Sequence, residues 1–143
     1  MRLTTFSDYS LRVLIYLGLP DNARATIGDI ATAYGISKNH LMKVAQFLGQ
    51  QGYIETLRGK HGGLRLARAP EHINLGALVR ATEAHTALVE CFGPQTSACR
   101  IEPVCALRAM LTRALQAFYA VLDEYTLADV LHNRDQLTQI LGE

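Results

Sequence analysis

The sequence contains no long hydrophobic run. Its greasiest stretch, Leu11 to Leu19, is broken by Arg12 and is too short to cross a bilayer. The opening segment Met1–Asp8 has no basic region followed by a small-residue cleavage site, so nothing in it reads as a secretion signal. The expected compartment is the reducing cytoplasm. Cysteine is scarce, and three residues, an odd number, suit a disulfide framework poorly. Low-complexity segments and internal repeats are absent. No nucleophile–base pair or carboxylate dyad stands out from the helical patterning, which argues against an enzyme.

The 143 residues are 49% hydrophobic and 19% charged, which suits one compact domain or one small domain with an appended element. A net charge of +1 hides an asymmetry. Residues 1–80 carry ten Lys/Arg against five Asp/Glu, a local charge of +5, while residues 81–143 carry four against eight, −4. A basic first part facing a polyanion, with an acidic part serving another purpose, is the natural reading.

Helical periodicity dominates. Thr5 is a candidate cap for a first helix, with Asp8 three residues on as in a capping box, and Phe6, Tyr9, Val13, Tyr16 and Leu17 fall at helical spacing. Pro20-Asp21-Asn22 stops it. Thr26-x-x-Asp29 starts a second helix with Ile27, Ile30, Ala31 and Tyr34 on one face, and Gly35 ends it. Ser37 then caps a third helix, in which Leu41, Val44, Ala45 and Leu48 repeat the apolar spacing until Gly49 and Gly52 close it. The period next changes to that of strands: Tyr53–Leu57 and Leu64–Ala67 read as a hairpin joined by the glycine-rich turn Arg58–Gly63. Pro70 ends this unit, and Asn74 caps a helix over roughly Leu75–Ala84. Little periodicity marks His85 to Val104. A long helix of some 20 residues, about 30 Å, is expected from Pro103, with Leu107, Leu111, Leu115, Phe118, Leu122 and Tyr125 in one stripe. A small domain does not need that stripe for itself, so it reads as a pairing surface for a second chain. Two short helices capped by Thr126 and Asn133 close the chain.

Helix, glycine turn, capped helix and two-stranded hairpin is the plan of a winged helix-turn-helix. The expected fold is mainly α with a small β-hairpin: a DNA-binding domain over residues 1–84, a cysteine-bearing loop over 85–105, and a dimerisation helix with C-terminal helices over 103–143. The third helix turns Ser37, Lys38, Asn39, His40, Lys43 and Gln46 outward. Lys, Ser and a helix N-terminus hold phosphates, and Asn pairs bidentately with adenine. At the wing tip Arg58, Lys60 and His61 have the chemistry to meet phosphates or enter a minor groove. The same tip is no nucleotide-binding loop, because its glycine spacing is wrong and a strand follows it instead of a helix.

The cysteines cluster as Cys91-x7-Cys99-x5-Cys105, all within fifteen positions. Cys91 and Cys99 lie in an irregular loop, and Cys105 is expected in the first turn of the long helix, where the dipole favours the thiolate that metals need. The paired Cys-x2-Cys knuckles usual for zinc are absent. Iron–sulfur clusters accept looser spacing, and three thiolates leave a four-iron cluster one ligand short.

Thr4–Arg12 (TTFSDYSLR), Gly35–Leu41 (GISKNHL), Arg58–Gly63 (RGKHGG), the three-cysteine loop and Tyr125–Asp129 (YTLAD) together resemble NsrR, the family of nitric-oxide-sensitive iron–sulfur repressors, within the winged-helix family shared with IscR. The resemblance spans essentially the whole chain, and the Asn39-His40 pair and the cysteine spacing are its more specific parts. It implies a homodimeric repressor of double-stranded operator DNA with nitric oxide as effector. It also implies one cluster per subunit, 4Fe–4S in preference to 2Fe–2S, held by Cys91, Cys99 and Cys105, with Asp8 of the partner subunit as fourth ligand. Arg12 joins Ser37, Lys38, Asn39, His40, Lys43, Arg58, Lys60 and His61 as an expected DNA-binding residue. Glu83, His85, Glu90 and Glu102 stay rivals to Asp8, whose position is also explained by helix capping alone. His72 and His132 read as surface or core-edge residues. Competing functions are a regulator switched by thiol oxidation or zinc, a cluster-status sensor like IscR, and an electron-transfer or cluster-delivery protein with no DNA role.

Overall fold

Helix α1 (Thr5–Gly18) begins where the Thr4 hydroxyl accepts the Ser7 N–H at 3.2 Å, satisfying a donor that has no partner inside the helix. The computed structural model, which describes residues 2–142, thus places the cap one residue before the expected Thr5. Asp8 falls at the fourth helical position, outside any capping box. The reason is long-range: Thr4 is also held through its N–H and hydroxyl by Glu83, each at 2.8 Å. Helix α2 (Ile27–Tyr34) starts with the expected Thr26–Asp29 capping box and ends at Gly35. There the backbone turns left-handed (φ 64°) in open space, so glycine is favoured by conformation and not by crowding. Helix α3 (Lys38–Gln50) follows Ser37, whose hydroxyl makes no capping bond, and buries Leu41, Val44 and Leu48.

Strands β1 (Ile54–Leu57) and β2 (Gly63–Leu66) pair antiparallel, with Ile54 opposite Leu66 and Leu57 opposite Gly63. The expected strands were longer at β1's start and offset by one residue at β2. Tyr53 N–H instead bonds back to Leu48 O at 2.9 Å, closing α3, and the strand starts after it. Ala25 and Leu64 exchange backbone hydrogen bonds of 3.1 and 2.7 Å, so the segment before α2 lies along the hairpin as a third, minimal strand.

Helix α4 (Leu75–Thr82) is capped by Asn74, whose Oδ1 accepts the Ala77 N–H at 2.9 Å. The long helix α5 (Ala106–Asp123) starts three residues after the expected Pro103 and has 18 residues, about 27 Å. Glu102–Val104 form a separate 3-10 turn. Proline's missing N–H is as harmless at the start of that turn as at the start of an α-helix, and extended backbone at Cys105 (φ −78°, ψ 104°) then separates the two. Cys105 is therefore the N-cap residue of α5, not part of its first turn.

Helices α6 (Leu127–Val130) and α7 (Arg134–Leu141) bring the chain back onto its first half. Leu127 N–H bonds to Ile73 O at 2.9 Å and Leu75 N–H to Tyr125 O at 3.0 Å. Leu127 and Leu131 join Leu14, Leu17, Ile30, Leu41, Leu48, Ile73 and Leu78 in one core. Arg80 of α4 forks onto the Asp123 carboxylate of α5 at 2.6 and 2.5 Å and stacks on Tyr119 at 4.7 Å. Gly76 permits this approach, since a Cβ there would meet Asp123 Oδ1 at 1.9 Å. No side chain of α5 is fully buried. Val104, Leu107 and Met110 stand 86%, 57% and 63% exposed at its start.

Candidate nucleic-acid interface and thiol loop

The burial of Leu41, Val44 and Leu48 fixes the orientation of α3. Its opposite face then presents Ser37, Lys38, Asn39, His40, Lys43 and Gln46, all exposed, in line with their expected outward position. Met42, 57% exposed, lies among them and was not anticipated. A groove between α3 and the hairpin is lined by Asn39, Met42, Lys43 and Gln46 on one side and Thr56 and Leu64 on the other.

The hairpin tip carries Arg58, Lys60 and His61, all exposed. Gly59 is left-handed there (φ 100°), and Gly63 (φ 155°) packs so closely on Ala25 that a Cβ would meet its carbonyl oxygen at 2.9 Å. The Arg24 guanidinium donates to the His61 carbonyl at 3.1 Å, adding a further cation beside Arg58 and Lys60 at this tip. Arg24 was not predicted: only the long-range pairing of residues 25 and 64 reveals it.

Arg12 and Asp8 lie one turn apart on α1 and form an ion pair at 2.9 Å, both partly exposed. The Arg12 guanidinium also lies 5.9 Å from the ring centre of Tyr9 and 5.7 Å from that of Tyr34. Burial pushes the Tyr34 phenol up to about 12, against the opposing pull of Arg12, so it stays neutral. Tyr9 in turn meets the His40 ring at 6.1 Å, and Phe6 meets Phe47 edge-on at 5.3 Å. Asp8 is thus flanked on α1 by the two aromatic residues through which that helix packs on α3.

Cys91, Cys99 and Cys105 are all free thiols, with Cys99 exposed and the others half-buried. Among the described residues no three Cys, His, Asp or Glu side chains converge into a metal site, so the structure does not bring the expected ligands together within one chain. It does organise the backbone that carries them. Glu90, next to Cys91, accepts the N–H of Ala98, next to Cys99, at 2.6 Å. Cys99 O accepts from Glu102 N–H and Glu102 O from Cys105 N–H, at 3.2 and 3.3 Å, in two successive tight turns. Three free thiols on one folded-back loop fit the donor chemistry of an iron–sulfur cluster, which takes sulfur at most iron sites. A fourth donor must come from elsewhere.

The acidic rivals to Asp8 are engaged, as Asp8 itself is by Arg12. Glu90 is used as above, and Glu102 faces Arg108 at 4.0 Å. Glu83 is buried and accepts from Thr4 N–H, the Thr4 hydroxyl and the Ser7 hydroxyl. Desolvation raises its pKa, but the hydrogen bonds from Ser7, Thr4 and Thr86 outweigh that effect and hold it below the ordinary value. His85 is exposed, as are His72 and His132, in keeping with a surface reading of the last two.

Comparison with known proteins agrees with this architecture. Residues 3–133 match the model of Rrf2, described as an iron-dependent transcriptional regulator. The chain belongs to the Rrf2 family. It is 50% identical over 143 residues to the HTH-type transcriptional regulator NsrR of Bacillus licheniformis, covering 99% of this chain and all of that one. It is equally similar over 142 residues to NsrR of Bacillus subtilis, with 99% and 97% covered. Among solved structures, CymR, the global cysteine regulator of B. subtilis, superposes with a TM-score of 0.70 at 25% identity, covering 91% of this chain and 95% of that one. T. potens IscR shares the fold, with a TM-score of 0.68 at 22% identity and coverage of 93% and 88%. This Rrf2 chain is accordingly a winged-helix transcriptional regulator and not an enzyme. No described helix is long and apolar enough to cross a membrane.

Proposed function

We propose that this Rrf2 regulator is a cytoplasmic homodimeric repressor that grips operator DNA with α3 and the wing and releases it in response to nitric oxide. In this reading Cys91, Cys99 and Cys105 hold one 4Fe–4S cluster per subunit, completed by the partner subunit's Asp8. Bound there, the cluster would supply iron sites for nitric oxide, and its ligands would come from both subunits. Everything else is the work of the chain's own side chains. Arg12, Ser37, Lys38, Asn39, His40, Lys43, Arg58, Lys60 and His61 meet the DNA, phosphates through the cations and base edges through Asn39.

The observation that carries the proposal is the placement of Asp8. It is a half-exposed carboxylate already paired with Arg12, on the helix whose Tyr9 touches His40 of the recognition helix. Whichever partner Asp8 takes, Arg12 must respond, and Arg12 rests on Tyr9. A shift at the cysteine loop of one subunit is thereby felt at the reading head of the other. Spacing between two heads near one helical turn of DNA, or a multiple of it, makes such small shifts costly. A differential of 3–4 kcal/mol would weaken binding by about a few hundredfold.

The test is anaerobic. Protein reconstituted with iron and sulfide should be brown, bind its operator, and lose that affinity by about a few hundredfold as nitric oxide is titrated in. Cys91→Ala, Cys99→Ala and Cys105→Ala should each bleach the colour. Unchanged affinity while the absorbance collapses rules the reading out. The exposed free thiol of Cys99 favours one second reading, a switch by thiol oxidation or zinc, which predicts a colourless protein that responds to peroxide or chelator.

A further inference from the structure

Among the described residues, Arg58 and Lys60 at the wing tip have no carboxylate within ion-pair distance. Arg58, Lys60 and His61 are exposed on a tight glycine-rich turn, and none of them forms an ion pair among the described residues. Arg24 arrives from a different part of the chain. The Ala25–Leu64 backbone pair brings it alongside the hairpin, its stem passes Gly63 (a Cβ there would lie 3.4 Å from Arg24 Cγ), and Nη1 donates to the His61 carbonyl. One of the five guanidinium N–H groups is used in that bond. No carboxylate pairs with Arg24 among the described residues, and its side chain is exposed. Gathering like charges without a counter-charge is unfavourable in the free protein. It becomes favourable when a polyanion supplies the missing charge.

From this we infer that Arg24 is a DNA-contacting residue of the wing: one donor fixes the tip through the His61 carbonyl, and the remaining donors bind a backbone phosphate beside it. The inference rests on the DNA-binding reading of the wing and extends it to a residue outside both the recognition helix and the hairpin. Arginine suits the task because its planar fork serves a carbonyl and a phosphate oxygen at once, whereas lysine is a point charge. The contact reads no sequence. Its contribution is therefore the same on any duplex and is governed by counterion release.

The experiment uses the full-length protein and a fluorescent duplex of about 30 base pairs of mixed sequence, with dissociation constants measured from about 50 to 200 mM salt. Arg24→Ala is expected to weaken binding about three- to tenfold at the low-salt end and to reduce the slope of log K against log salt by about 0.9. Arg24→Lys keeps the charge and should keep the slope. Arg24 is exposed, so both variants are expected to fold, and circular dichroism checks this. An unchanged slope in Arg24→Ala overturns the inference even if affinity falls, because a residue that only braces the wing changes affinity without changing the number of released ions. Failure of the parent reading looks different: the unsubstituted protein would then show no salt-dependent binding, and Lys43→Ala would change nothing.

Discussion

Glu83 shows how much a single side chain decides. Among the described residues it is the one acidic side chain that is buried, and it ties the N-terminus of α1 to the C-terminus of α4 just before the cysteine loop. Its folded-state pKa lies below its ordinary value of about 4.5. The stabilisation from its charged form is therefore complete above the unfolded-state pKa and is lost as pH falls through the folded-state value. Thermal unfolding followed from pH 7 down into the acid range should show this acid limb, and Glu83→Gln should flatten it. Glu83→Leu has a different consequence, since it leaves the Thr4 N–H without its acceptor, at a cost of about 1–3 kcal/mol at neutral pH, while the Ser7 hydroxyl keeps Thr82 Oγ1 at 2.7 Å. Stability of Glu83→Leu equal to that of the parent at pH 7 would mean that water satisfies that donor equally well. Sequence alone offered Glu83 only as a rival ligand. Besides Thr86, its partners Thr4 and Ser7 are almost eighty positions away, and nothing in the local pattern signals them.

At the scale of elements, the cysteine loop is the part with the least regular structure and the most to explain. Glu90 closes it by accepting the Ala98 N–H, which draws the neighbours of Cys91 and Cys99 together. If the proposed cluster is held there, Glu90→Ala should lower iron and sulfide retention in anaerobically reconstituted protein severalfold, with the helical circular dichroism unchanged; full retention would show that the thiols find each other without this bond. The loop is also where sequence reading ran out, and the reason is physical. Helix starts such as Thr26-x-x-Asp29 and Asn74, the stop at Gly35 and the inward stripe Leu41, Val44 and Leu48 are local signals, and each reappears in the structure. The outward face of α3 follows from that stripe, so which of its side chains stand exposed is readable too. The start of α1 was misplaced by one residue because a distant carboxylate holds Thr4. The start of α5 was misplaced because proline suits a 3-10 turn as well as an α-helix. Arg24 escaped notice because its position depends on pairing across almost forty residues.

On the scale of the whole molecule, charge and apolar surface are segregated. The basic first 80 residues, at +5, carry the reading head and wing, and the acidic remainder, at −4, carries α5. Helix α5 itself is not acidic, with Arg108 and Arg113 against Asp123, so it is its apolar surface that suits it to face another protein. Its exposed Leu107 and Met110, with Val104 just before them, form an apolar strip that a single chain leaves in water. In the proposed dimer that strip is covered by its copy, and the two heads are thereby set at a fixed separation. Binding of the second head is then intramolecular, an advantage of about a hundredfold or more over independent heads. Replacing both Leu107 and Met110 with lysine puts like charges into the symmetric contact, where each meets its own copy or a near neighbour. The double variant should sediment as a monomer, keep its helical content, and bind a duplex with two half-sites about a hundredfold more weakly. On a duplex carrying one half-site it should bind as well as the parent, because its α3 and wing are untouched. A variant that is monomeric yet undiminished on the two-site duplex would show that each head acts alone, and the coupling from Asp8 through Arg12 and Tyr9 to His40 would then have no second subunit to act upon.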